Sequence, residues 1–350
     1  MMAVTTRRYG FFLKGLVLII FIVFAINWDN PDYIAYKNIY EGYDVSVEYA
    51  YVMLNKILRE IGLNYAMYRV ILSLLVIFII HNAFSRILPI KYLFFLFSLY
   101  VIYPMSLDII QIRNFIAMAL FLFGFIEYTT RDKYGRLFFI TILIIASCIH
   151  KLFIIYFIYI LYDYISNCKI LKYAYIIILS ISVSFVFYPY MFLKLNIIND
   201  FFELYAENKI HLIYLNIKQG AYVYYLLSIF ITLLTYFSYK NIVDPLTLTI
   251  KYENEDCRNI YRFVKGVLSI DLIMLLFMPC VFFTYSFFRF FRNIVLLNYA
   301  CWLLTMKYVN KRKKGLLLIL ILIIISILYL FEIHTVVSIR YLNYILLHII

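Results

Sequence analysis

The chain has 350 residues, of which 66% are hydrophobic and only 15% are charged. Soluble domains are nearer half apolar and a quarter charged, so these proportions exclude an ordinary soluble domain. The net charge of +13 would suit nucleic acid, but no basic stripe lies outside the apolar runs, so no nucleic-acid partner is expected. The composition is typical of a polytopic protein embedded in a lipid bilayer.

Apolar runs recur along the chain and predict an all-α polytopic integral membrane protein with about 11 or 12 transmembrane helices. The first run continues into Trp28 and Asp29 without a small-residue cleavage site, which indicates a retained span rather than a signal peptide. We expect one transmembrane domain over residues 1–350. The predicted spans are 11–28, 65–84, 90–104, Arg113 to Arg131, Arg131 to His150, His150 to Lys169, 173–191, 221–239, 264–285, a run ending at Lys307, and 315–331; the stretch 332–350 is either a twelfth span or a surface helix.

Basic residues orient these spans, because loops rich in lysine and arginine stay in the cytoplasm. Arg7, Arg8 and Lys14 precede the first span, which places the N-terminus in the cytoplasm. With this orientation, residues 29–64 form an external acidic loop plus an amphipathic interfacial helix, 192–220 an external loop and 240–263 a cytoplasmic loop. In the interfacial helix, Val47, Tyr51, Leu54, Leu58 and Ile61 recur at helical spacing, with Glu48, Lys56, Arg59 and Glu60 opposite.

The stretch from Gln111 to Lys151 contains two apolar runs joined by a basic hairpin, so Arg113 and His150 should lie at one depth on the outer side. The runs on either side of His150 have only about 13 residues between polar markers, against the roughly 20 that a crossing needs. Either these spans tilt through a thin region, or His150 lies below the outer surface in a water-filled cavity.

The same topology brings Arg289 and Arg292 to the outer face, where the positive-inside rule disfavours basic residues. The two are three residues apart and would share a helix face. Paired guanidinium groups suit a diphosphate, and a histidine can take or donate a proton near neutrality. The alternative is that these arginines snorkel from helix ends to the headgroups and that the histidine is structural.

Several common catalytic signatures are missing from the sequence. No GxxxxGK, GxGxxG, HExxH or GxSxG occurs, so neither ATP-driven transport nor serine or zinc hydrolysis has support. No external carboxylate cluster has metal-ligand spacing, so neither a metal nor a cofactor is implied. A reaction that uses an activated lipid diphosphate needs neither, since the leaving group carries the driving force.

Several short motifs follow one another along the chain: Asp32-Tyr33 with Tyr36, then Glu48, Ile112 to Ala117, Ala146 to His150, and Arg289. Their order resembles the EpsG-like branch of the Wzy polysaccharide polymerases. Two departures occur: Asn114 stands where the family usually has glutamine, and Lys151, Leu152 and Phe153 stand where a serine or threonine usually follows the histidine.

The resemblance implies a GT-C-like architecture in the bacterial cytoplasmic membrane and a polymerase that joins oligosaccharide units carried on polyprenyl diphosphate. The growing glycan would pass to the non-reducing end of a lipid-linked oligosaccharide at the outer face. Chain-length regulator and flippase proteins are candidate partners. A flippase for the same lipid-linked units, or a glycan ligase, are the alternative functions. The implied catalytic residues are His150 and Asp32, and the implied diphosphate-binding residues are Arg113, Asn114, Lys151, Arg289 and Arg292.

Overall fold

A computed structural model describes residues 2–27, 30, 32–43, 47–130, 134–165, 218–250, 255–278, 281 and 287–334. Throughout these ranges the chain is helical apart from turns and short connections, and they contain no strand. Within the described ranges, five helices are long and apolar enough to cross a membrane, and two shorter apolar helices accompany them. The chain is therefore an all-α polytopic membrane protein, as predicted. The span predicted at 173–191, most of the external loop predicted at 192–220 and most of the stretch 332–350 lie outside the described residues.

The helices are numbered in chain order over the described residues. The first group is α1 (Met2–Ile26), α2 (Tyr33–Glu41), α3 (Tyr49–Glu60), α4 (Tyr65–Ser85), α5 (Ile90–Ile102), α6 (Met105–Ile110), α7 (Ile112–Thr130), α8 (Gly135–Ile149), a 3-10 helix (Lys151–Tyr156) and α9 (Phe157–Ile165). The second group is α10 (Lys218–Ile250), α11 (Glu255–Phe277), α12 (Phe288–Arg292), α13 (Val295–Tyr308) and α14 (Lys311–His334).

Local signals in the sequence set the helix boundaries around the predicted external segment. Helix α2 stops at Gly42, whose φ of 87° places it in the left-handed region that glycine tolerates best. The side chain of Asn64 accepts a hydrogen bond of 2.9 Å from the backbone N–H of Met67 and so caps α4. Between these two signals α3 forms the amphipathic helix expected from the apolar spacing, and it packs against α2 and α8.

Helix α7 forms the centre of the fold. It packs against α4, α8 and α11, and 78% of its most apolar window is buried, compared with 22% for α1. In a membrane protein the difference separates an interior helix from one that faces lipid. Helix α13 is also interior, because every residue from Val295 to Thr305 is buried.

Several helices depart in length from the predicted spans. Helices α5, α8 and α13 have 13, 15 and 14 residues, shorter than the roughly 20 of a full crossing. Helix α10 continues to Ile250 and α11 starts at Glu255, so most of the segment predicted as a loop at 240–263 is helical.

The two ends of the bundle differ in charge. Arg113 lies at the first turn of α7, and Thr129 lies 16 residues later, which is about 24 Å along the axis. Around the later end, Arg86 pairs with Glu127, and Lys313 donates a 3.0 Å hydrogen bond to Asn241. We call the end with Arg113 the site end and the other the basic end.

Candidate functional site

Glu48 is the centre of a polar cluster at the site end. It stands at the N-cap of α3, yet its side chain makes no capping hydrogen bond and is only 13% exposed. The carboxylate instead accepts hydrogen bonds from Arg113 Nη1 at 2.5 Å and from the backbone N–H of Lys151 at 2.9 Å. The helical periodicity had placed Glu48 on the polar, outward side of α3. In the structure it faces inward and joins α3 to α7 and α8.

Burial alone would raise the pKa of the Glu48 carboxyl. Contact with His150, the positive charge of Arg113 and the N–H of Lys151 outweigh that effect and lower the pKa to about 2. Glu48 is therefore a carboxylate at any physiological pH.

His150 stands at a break between α8 and the 3-10 helix. Its φ of −147° and ψ of 110° are extended, so the helix stops there and the ring turns into the cluster. The ring is buried, with Nδ1 3.5 Å from Glu48 Oε1, a distance that is long for a hydrogen bond. An imidazole with its Nδ1 proton directed at a carboxylate presents Nε2 as its proton acceptor.

Asp32 and Arg289 complete the cluster. Asp32 lies at the start of α2, where partial burial raises the pKa of its carboxyl while the charges of Arg289 and Arg113 oppose the rise. Arg289 lies in the short helix α12 and acts electrostatically on His150 as well. The structure thus brings Asp32, Arg113, His150 and Arg289 to one place, together with Glu48.

One arginine of the cluster has an unused donor, and another has no acid beside it among the described residues. Among the residues that the structure describes, Arg113 Nε has no hydrogen-bond partner, although it is buried. Among these described residues, no acid lies within ion-pair distance of Arg289. Unused guanidinium donors in a partly desolvated site are suited to an incoming anion with several oxygens.

Arg292 points away from this cluster. Its side chain is 3% exposed, donates a 2.6 Å hydrogen bond to Gln111 Oε1, and lies 3.8 Å from Asp108. Asp108 is fully buried and also accepts a hydrogen bond from Tyr100. Arg292 thereby ties α12 to α6 and to the start of α7.

Asn114 is likewise engaged in packing. Its side-chain amide forms two reciprocal hydrogen bonds with Asn293, of 2.9 and 3.2 Å, and both side chains are buried. The backbone N–H of Lys151 is bound to Glu48, and its side chain is partly exposed beside the cluster.

Three residues of this arrangement were not among the predicted site residues: Glu48, Asp108 and Gln111. Glu48 had been noted only as part of a family pattern and as a polar residue of the interfacial helix. For Asp108 a signal existed, since it is the one charged residue in the short connection between two predicted spans. Nothing in the spacing indicated Gln111.

Fold and site together define a polytopic membrane protein that holds ionisable side chains between helix ends at one side of the bundle. Comparison with protein families identifies which kind: the family model described as EpsG matches residues 11–346, nearly the whole chain. The chain therefore belongs to the EpsG family. No curated protein and no solved structure matches it significantly.

Proposed function

We propose that this protein is a polysaccharide repeat-unit polymerase. It transfers a growing glycan from polyprenyl diphosphate to the non-reducing end of a lipid-linked oligosaccharide at the outer face of the bacterial cytoplasmic membrane. Membership in the EpsG family supports this class of reaction. The observation that carries the proposal is a histidine backed by a carboxylate and placed beside two arginines, of which Arg113 has a buried N–H donor without a partner among the described residues.

In this reaction Arg113 and Arg289 bind the diphosphate of the donor lipid. Both are permanently charged, and negative charge grows on the diphosphate as its bond to the anomeric carbon breaks. Donors that are already in place stabilise this charge without reorganisation in the transition state. The leaving group departs as polyprenyl diphosphate, and no metal is required by the scheme.

His150 is the general base. Glu48 orients the imidazole, and Nε2 takes the proton from the acceptor hydroxyl as its oxygen bonds to the anomeric carbon. Asp32 is the second candidate base, since its pKa is raised by burial and it lies within the field of both arginines. The transfer is balanced: the proton of the acceptor hydroxyl goes to His150 or Asp32, and the diphosphate that leaves the anomeric carbon stays bound to the arginines.

The remaining predicted residues position this machinery. Arg292 holds α12 against Asp108 and Gln111, and the Asn114–Asn293 pair fixes the same helix end to α7. Tyr156 adds a 2.7 Å hydrogen bond to the carbonyl of Phe290. Lys151 provides an additional cation at the rim for a phosphate oxygen.

The direct test uses purified protein and a single lipid-linked repeat unit in detergent. A ladder of products, resolved by gel electrophoresis, is expected from the wild type, and no elongation from His150→Gln. His81→Gln is the matched control, because His81 lies within α4 and stacks on Phe97 away from the cluster. Absence of any elongated product from well-folded wild type would refute the polymerase and favour a flippase.

A further inference from the structure

A second polar site lies at the basic end of the bundle. A cavity of about 400 Å³ is enclosed there by the later end of α7, the start of α8, α9 and the first half of α11. Among the residues that the structure describes, its wall contains three cations, Arg136, Arg262 and Lys265, and one carboxylate, Asp163. The cavity lies about 24 Å from Arg113 along α7, so it is separate from the cluster around Glu48.

Close helix packing creates the floor of this cavity. A Cβ atom on Gly266 would come within 2.9 Å of the Tyr159 hydroxyl and 3.1 Å of a Thr129 methyl group. Because Gly266 has no Cβ atom, α11 approaches α7 and α9 closely at this point. The floor is consequently aromatic, and the charged side chains stand at its margin.

The carboxylate in the wall is already engaged. The hydroxyl of Tyr128 donates a hydrogen bond to Asp163 Oδ2 within the same wall. Lys265 is exposed, and Arg262 is partly exposed, one turn before it on the same helix. In the described part of the chain, the cavity therefore presents an excess of positive charge beside tyrosine rings.

We propose that this cavity binds the phosphate headgroup of an anionic lipid from the leaflet at the basic end. Basic pockets between membrane helices on that side suit anionic headgroups, because the guanidinium fork fits a phosphate and the aromatic base accepts the glycerol and first methylenes. A volume of about 400 Å³ lies within the range for small-ligand sites. An anionic lipid and soluble phosphate both present a phosphate group, so the experiment must distinguish the two.

The test measures the thermal unfolding midpoint of purified protein in detergent with phosphatidylglycerol, phosphatidylcholine or inorganic phosphate added. Phosphatidylglycerol should raise the midpoint of the wild type by several degrees, because a ligand that binds only the folded state stabilises it. Phosphatidylcholine should not. The double variant Arg262→Gln with Lys265→Gln should lose the shift, and Arg262→Lys with Lys265→Arg should retain most of it.

The matched control is Lys311→Gln with Lys314→Gln. These exposed lysines are at the same end, because their neighbour Lys313 bonds to Asn241 of α10 and Tyr239 of α10 faces Tyr261 of α11 with ring centroids 6.5 Å apart. The two substitutions remove the same amount of charge outside the cavity, so the phosphatidylglycerol-induced shift of the unfolding midpoint should remain.

The proposed site would be refuted if the Lys311→Gln, Lys314→Gln control lost the shift of the midpoint to the same extent. It would also be refuted if the Arg262→Gln, Lys265→Gln variant kept the full shift. A shift of the same size with inorganic phosphate alone would overturn the lipid as its occupant. If the double variant does not fold, Arg262→Gln and Lys265→Gln are tested singly, with native mass spectrometry counting the lipids retained. Full lipid retention by both would then refute the proposal.

Discussion

At the scale of single residues, the account depends on how Glu48 is satisfied. Its carboxylate faces a guanidinium, a backbone N–H and an imidazole at once, which is an arrangement that holds a catalytic histidine in one orientation. Without the carboxylate, the neutral imidazole has no preferred tautomer, and Arg113 loses the group that fixes its direction.

We therefore predict that Glu48→Gln lowers the turnover number by about a hundredfold or more, the range expected when a general base is disoriented. Glu60→Gln is the control on the same helix, since Glu60 is exposed and pairs only with Lys56 at 3.8 Å. Initial rates of glycan elongation by both variants measure the difference. Equal rates for the two variants would remove Glu48 from the mechanism.

The same carboxylate predicts how stability depends on pH. Its pKa is lowered to about 2 in the folded protein from 4.5, so it contributes stability above pH 4.5 that is lost as pH falls toward 2. The unfolding midpoint of the wild type should exceed that of Glu48→Gln at pH 7, and the gap should narrow between pH 5 and pH 3. A gap that stays constant over this range would contradict the assigned pairing.

At the scale of elements, the two arginines of the short helix α12 have different partners. The spacing of Arg289 and Arg292 predicted one shared face and one shared role. In the structure Arg292 is used inside the protein, by Gln111 and Asp108, while Arg289 faces the cluster. A buried acid on α6 decides the difference, and single-chain periodicity does not include partners from other helices.

This division predicts opposite effects for the two arginines. Arg292→Gln should destabilise the protein by about 3 kcal/mol, because it leaves Asp108 buried without its cation. Arg289→Gln should change stability by less than about 1 kcal/mol, since no ion pair of described residues is lost. The second variant should nevertheless lose most of its elongation activity.

Chemical unfolding in detergent and elongation assays on the same preparations check both expectations. The account would be wrong about α12 if Arg289→Gln were the more destabilising of the two.

The hairpin of α7 and α8 shows what could be predicted from sequence. Two short apolar runs joined by basic residues were enough to place Arg113 and His150 at the same end of the bundle. The exact break at His150 was foreseen only as one of two options, a tilted span or a histidine within a cavity. Glu48 was misplaced because an N-cap residue lies outside the helix whose periodicity was read.

At the scale of the whole molecule, the basic residues at one end of the bundle are the basis for the orientation that we predict. The basic end carries Arg86, Arg136 and the lysines of α14, and the positive-inside rule places such residues in the cytoplasm. Composition and hydropathy were sufficient to predict the class of protein and the positions of most long helices. They could not reveal the short interior helices as such, because a wholly buried helix needs no polar boundary at the membrane surface.

Orientation is tested with single cysteines introduced at exposed lysines in a background without the native cysteines. Lys56→Cys on α3 should react with a membrane-impermeant maleimide in intact cells, whereas Lys311→Cys on α14 should react only after the membrane is opened. The reverse pattern would place the cluster on the cytoplasmic side and exclude an external glycan substrate.

The central claim is that the cluster at the site end carries the glycan-joining reaction. The most direct measurement is the length distribution of lipid-linked glycan in cells that contain only the Arg113→Ala variant of this protein. The account predicts that single repeat units accumulate on the lipid and that long polymer disappears, while Arg312→Ala, a change of the same kind at an exposed residue of the basic end, leaves the distribution unchanged. Polymer of normal length in the Arg113→Ala cells would contradict it.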